Sequence, residues 1–180
     1  MRLLHAAFAV LLIAPVGASA NPTGDPSTDP TGEWLVAKRV ARIKIVNCDN
    51  RLWGVLSWEM EPGVDSNNPD PAKRTRPTLG MPILLGMAQT KPNEWSGEIY
   101  NAEDGRKYSS SISLLNPDLL KVQGCVLGFL CGGENWTRVS PPTSTNTPAA
   151  AKPGAKTKSP PPSSEEAICL SLAGAAGPSH

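Results

Sequence analysis

Residues 95–114 read WSGEIYNAEDGRKYSSSISL. Two strand-like runs, 95–100 and 108–114, flank the segment NAEDGRK, whose Asp104-Gly105 supplies the positive φ that a tight hairpin turn requires. The stretch predicts a β-hairpin, and similar signals recur on both sides of it. Upstream, RIKI at 42–45 alternates polar and apolar, as a half-buried strand must when successive side chains point to opposite faces. LWGVLSW at 52–58 is a mixed apolar and aromatic run. MPILLGM at 81–87 is another, in which Pro82 marks an edge or a strand start. Downstream, 119–126 follows a turn at Asn116-Pro117-Asp118, and 135–139 closes the series. No segment sustains an apolar repeat of helical period. Roughly seven or eight short strands at near-regular spacing predict an all-β fold, a small antiparallel barrel or sandwich.

These strands fall within residues 32–140, an ordinary size for one small domain. The flanks differ in composition. Residues 21–31, NPTGDPSTDPT, offer almost no apolar surface and read as a linker. Residues 141–180 are rich in Pro, Ala, Ser and Thr, cannot offset the entropy of ordering, and are expected to be a disordered tail. The mildly apolar AICLSLAGAA at 167–176 reads as a frayed part of it. Residues 1–20, MRLLHAAFAVLLIAPVGASA, carry Arg2, an apolar run and small residues at the end, the pattern of a secretory signal peptide cleaved after Ala20. The apolar run of roughly 12 residues falls short of the about 20 that cross a bilayer, so no membrane span is expected in the mature form. No Cys adjoins the cut to carry a lipid, and the periplasm or the medium is the expected destination. The chain holds 17 Lys and Arg against 16 Asp and Glu. Arg2 leaves with the signal peptide, so the mature charge balances and nothing calls for a nucleic-acid partner.

The order of several motifs resembles a known family. Gly32-x-Trp34 comes first, then Asn68-Pro69-Asp70-Pro71 with Arg74, Arg76 and Pro77, and Leu79-Gly80. Gly97-x-Ile99-Tyr100-Asn101, Asp104-Gly105-x-x-Tyr108, Leu120-x-Val122-x-Gly124-Cys125 and Trp136-x-Arg138 follow. Together they are similar to the domain of unknown function 2147 family, from residue 32 to about 139. That resemblance implies an exported bacterial protein with a lipocalin-like (calycin) β-barrel of about 8 strands, and no established activity. It also implies structural roles for Trp34, which would close the barrel floor, and Arg138, which would stack over its ring in a cation–π contact of about 0.5–2 kcal/mol. One departure is visible. Members often carry Leu-Cys-Gly where this chain has Leu52-Trp53-Gly54, which removes the nearest expected partner of Cys48.

The cysteines are Cys48, Cys125, Cys131 and Cys169. An oxidising compartment permits disulfides, and a bridge between Cys125 and Cys131 across VLGFL is favoured, with Cys48 to either of them as the rival. Their spacing is not C-x-x-C. The two histidines, His5 and His180, lie in the export segment and at the C-terminus, so the core offers no imidazole for zinc or for acid–base catalysis. No catalytic residue, metal site or cofactor is therefore assigned. The loop EPGVDSNNPDPAKRTRPTLG at 61–80 is long for a strand connection, and long ordered loops tend to be functional. Its Asp65 and Asp70 could accept hydrogen bonds while Lys73, Arg74 and Arg76 donate, and guanidinium is matched to carboxylate or phosphate, so the loop could form the mouth for an anionic ligand; an internally salt-bridged lid is the plainer reading. Trp53, Trp58, Trp95, Tyr100 and Tyr108 lie on the expected strands and could line a pocket, with Trp58 and Tyr100 assigned to it, against simple core packing. The expected function is a non-catalytic envelope protein that binds a small, partly apolar or anionic ligand. The alternative is a module that meets another envelope protein; a carboxylate-based hydrolase ranks below both.

Overall fold

Eight antiparallel strands close into an up-and-down barrel in the computed structural model, which describes residues 28–127, 129–139 and 164–175. They are β1 (Gly32–Leu35), β2 (Ala41–Cys48), β3 (Arg51–Glu59), β4 (Pro82–Lys91), β5 (Glu94–Asn101), β6 (Arg106–Asn116), β7 (Leu119–Val126) and β8 (Leu130–Arg138). Each strand pairs with its neighbours in sequence, and β1 pairs with β8 to shut the ring. The export segment at 1–20, the first part of the linker and the Pro-rich stretch that follows the barrel lie outside the described residues.

The hairpin at the centre of the sequence forms an uninterrupted ladder, running from Glu94 opposite Ser113 to Asn101 opposite Arg106. Gly105 has φ +70°, and a Cβ there would collide with the Asn67 carbonyl of the long loop, so glycine is required by conformation and by contact. Alternation then assigns faces. Trp34, Ile45, Leu84, Met87, Ile112 and Leu120 are wholly buried and, with Leu52, Trp95, Val122 and Trp136, fill the barrel interior. Gly54 and Gly97 face the same interior, where an added Cβ would press on Ile43 and Leu84, or on Met87. This barrel is thus packed with side chains, as the narrow lumen of an eight-stranded ring permits.

The floor is built around Trp34. The Arg138 Cζ lies 4.2 Å from the centroid of its ring, and the indole Nε1 donates to the Pro30 carbonyl at 2.8 Å. Arg138 also donates to the carbonyls of Asp29, Thr31 and Pro117. Burial pulls the Arg138 pKa below its usual value. The last residues of the expected linker are therefore fastened to the floor, because one guanidinium collects the main-chain carbonyls that the incoming chain exposes.

The tail requires a larger correction. Within the stretch read from composition as disordered, Ser164–Ala175 forms a helix, α1, packed on β2. Cys169 is bonded to Cys48, Lys44 and Glu165 form an ion pair at 3.4 Å, and Leu172 is buried. A helix of this length is marginal alone; a covalent tie to the sheet supplies what its sequence lacks. Cys125 is bonded to Cys131, directly opposite it in the β7–β8 ladder.

Candidate functional site

The β3–β4 loop is organised around one carboxylate. Asp65 is fully buried and accepts three hydrogen bonds, from the Tyr100 hydroxyl at 2.6 Å, the Asn68 amide at 2.6 Å and the Arg76 Nε at 3.0 Å, with the Arg76 Nη2 2.8 Å away in an ion pair. Burial pushes its carboxyl up, but the hydrogen bonds from Tyr100, Asn68 and Arg76, together with the Arg76 charge, outweigh that and hold it below the usual carboxylate value. Tyr100 is pushed up in turn, by burial and then by its bond to Asp65. Asn67 donates to the Glu103 carbonyl at 2.8 Å and so ties the loop to the β5–β6 turn. Asp70 caps the short 3₁₀ turn Pro71–Lys73 by accepting from the Ala72 amide at 3.0 Å, and it pairs with Lys73 at 3.3 Å. The Ala72 amide and Lys73 keep its carboxyl low.

The loop so fixed stands off the wall of the barrel and encloses a groove of about 720 Å³. Face parity places this groove outside the barrel. Leu52, Leu84 and Ile99 pack into the interior cluster, so their neighbours Trp53, Leu85, Glu98 and Tyr100 project outward. Trp53, Pro82, Leu85 and, from α1, Leu172 give the groove an apolar wall, while Lys73, Arg76 and Lys107 bring cations to its rim. Asp70 and Glu98 also line it, the latter 3.6 Å from Lys107.

Of the residues singled out from sequence, Asp70, Lys73, Arg76 and Tyr100 meet at this groove. Two do not. Arg74 turns its Nε to the Asn68 carbonyl at 2.8 Å and serves the loop's own shape. Trp58 sits near the end of β3 beneath Arg42, whose Cζ is 5.2 Å from its ring, and it lines no part of the groove. Trp53, one of the aromatics read from sequence as able to line a cavity, also stands here: in LWGVLSW the alternation that buries Leu52, Gly54 and Leu56 leaves its indole on the other face. Sequence reasoning missed Leu85 and Leu172. Nothing local marked Leu172, because its place depends on a disulfide to a strand far away in sequence.

Of the carboxylates Glu98, Glu103, Asp104 and Glu134, which a carboxylate-based hydrolase would draw on, three are engaged by neighbouring side chains. Asp104 accepts from the Tyr108 hydroxyl, Glu134 from the Trp136 indole at 2.6 Å, and Glu98 pairs with Lys107. Among the described residues no group of His, Cys, Asp and Glu is arranged to hold a metal ion.

Comparison with known proteins follows the same outline. The profile of the family described as "Uncharacterized protein conserved in bacteria (DUF2147)" matches residues 32–138, from the start of β1 to the end of β8. Among solved structures, HP1028 from the human pathogen Helicobacter pylori, described as belonging to the lipocalin family, is similar with a TM-score of 0.58 and 17% identity. The alignment covers 63% of this chain and 85% of that one, and at such identity it speaks to the fold alone. No curated protein matches the chain.

Proposed function

The chain belongs to the family of uncharacterized proteins conserved in bacteria, DUF2147, and from that premise we propose that it is an exported envelope protein that binds a small, partly apolar anion without transforming it. The observation that carries this reading is the groove under the 61–80 loop, where an apolar wall of Trp53, Leu85 and Leu172 faces a rim bearing Lys73, Arg76 and Lys107. Pockets for small molecules are concave and mostly apolar, with a few placed polar groups. This one has the size and mixture for an amphiphile whose head carries a carboxylate, sulfonate or phosphate. The filled interior favours the outer groove over the lumen as the binding place. Export is supported by the signal-peptide pattern of residues 1–20 and by the two disulfides, bonds that persist in oxidising compartments.

Fluorescence titration with anilinonaphthalene sulfonate, followed by displacement with a medium-chain alkyl carboxylate, tests the reading. Saturable binding with one site per chain is expected, weakened by about tenfold or more in Trp53→Ala and in Lys107→Ala, a change of about 1.4 kcal/mol. Trp58→Ala, distant from the groove, is expected to bind as the parent does. Binding that is unsaturable, or equally strong in all four proteins, would sink the proposal.

A further inference from the structure

The β7–β8 hairpin is longer than the strand that closes against it. β8 spans nine residues, yet β1 pairs with it only at Thr137 and Arg138. The cause is the early turn after β1, where the chain reverses through residues 36–40 with Arg39 at φ +59°. Residues 130–135 consequently have β7 on one side and, among the described residues, no strand on the other; all six are exposed.

The hydrogen-bond parity of this edge can be read directly. The Val139 amide donates to Glu33 of β1, whereas the Arg138 amide donates to Asp118 on the β7 side. The β7–β8 register is unbroken, so odd-numbered residues of β8 direct their main-chain groups away from β7. Among the described residues, the unpaired N–H and C=O groups of this edge therefore belong to Cys131, Gly133 and Asn135. Native sheet edges are usually guarded by Lys, Pro or a bulge. Residues 122–135 contain no Lys or Pro, a single charge in Glu134, and no bulge. The hairpin ends in exposed apolar side chains, with Leu127 at 79% and Phe129 at 71% of full exposure, and the Cys125–Cys131 bond ties its two strands together beneath that tip.

An apolar tip by itself would suit lipid as well as protein. The edge beside it decides between them: hydrocarbon cannot satisfy free main-chain groups, and another strand can. We propose that this edge is a dimerisation surface, at which β8 of one copy pairs antiparallel with β8 of a second. A twofold axis makes such an edge self-complementary. With the axis at Gly133, that residue faces its own symmetry mate and Cys131 faces Asn135 of the other copy, each pair exchanging both its N–H···O bonds. Glu134 then stands opposite Gly132, so the like charges are not opposed. Past the paired segment, the tip of each copy reaches the β1–β2 turn of the other, where Val40 is exposed.

Sedimentation equilibrium of the full chain over a concentration series, paired with amide exchange, tests this. A monomer–dimer equilibrium is expected, and with rising concentration exchange should slow at Cys131, Gly133 and Asn135, while Gly132 and Glu134, already bonded to β7, stay unchanged. Asn135→Pro removes a free-edge donor without taking one from the β7 ladder, so it should weaken association about tenfold or more. The wild-type exchange pattern stands as evidence even if that variant folds poorly. A monomer at every concentration overturns the proposal, as does a dimer whose protection lies elsewhere. Sedimentation with phosphatidylethanolamine–phosphatidylglycerol vesicles that is lost in Phe129→Glu, without concentration-dependent protection at the edge, would assign the tip to a lipid surface instead.

Discussion

Replacing Asp65 by Asn is the sharpest test of what holds the long loop to the barrel wall. Every group around this carboxylate donates: Tyr100, Asn68 and both Arg76 nitrogens converge on its two oxygens. An amide of the same shape offers one oxygen and one NH2. The best compromise keeps oxygen toward Asn68 and Arg76 and turns the Tyr100 hydroxyl to accept, but the charge is gone. Hydrogen bonds involving an ionised partner contribute about 1.5–3 kcal/mol and neutral ones about 0.5–1.5. Arg76 is partly exposed, so water recovers some of the loss. The net cost of Asp65→Asn is about 2–3 kcal/mol, an increase of roughly 30- to 150-fold in the open loop population. Trypsin cleavage after Lys73 and Arg74 reads that opening directly, and thermal unfolding reads any share borne by the whole barrel. The pH dependence follows from the sign of the shift. A carboxyl held below its unfolded value contributes stability that is complete above about pH 4 and is lost as pH falls through the depressed folded value. The gap between wild type and Asp65→Asn should therefore be full at neutral pH and close on acidification. Equal cleavage rates at neutral pH, or a gap that persists in strong acid, would refute the reasoning.

Two further outcomes follow. Trp34→Ala empties the barrel floor and strands Arg138, and a loss of about 3–5 kcal/mol in denaturant unfolding is expected, with probe binding in the groove preserved once the protein is folded; an unchanged midpoint would contradict the role given to the floor. Replacing Cys48 and Cys169 together by Ser leaves α1 docked by non-covalent contacts alone, among them Leu172 and the Lys44–Glu165 ion pair. Rapid amide exchange over 164–175, a red-shifted Trp53 emission and weaker groove binding are expected, whereas exchange as slow as in the parent would show that packing alone holds the helix.

The sequence by itself determined the strands. Alternation at 42–45 and 119–126 and the Asp104-Gly105 turn are local signals, written in the residues that obey them, and all seven segments read this way are strands in the barrel. The extent of β8 was less legible: Cys131, Gly132 and Gly133 have weak strand preference, and the ladder with β7 extends through them regardless. Part of the groove was legible too, since the loop that brings Asp70, Lys73 and Arg76 stands out by length and charge. Tertiary structure alone decided the rest. Whether the barrel is hollow depends on how inward side chains from eight strands meet, which no segment encodes separately. That the site lies on the outer wall depends on Asp65 reaching Tyr100 across 35 residues. α1 exists where composition promised only a tail because Cys169 finds Cys48 from 121 residues away. Local pattern fixes which way a side chain points; only closure of the chain fixes what it points at.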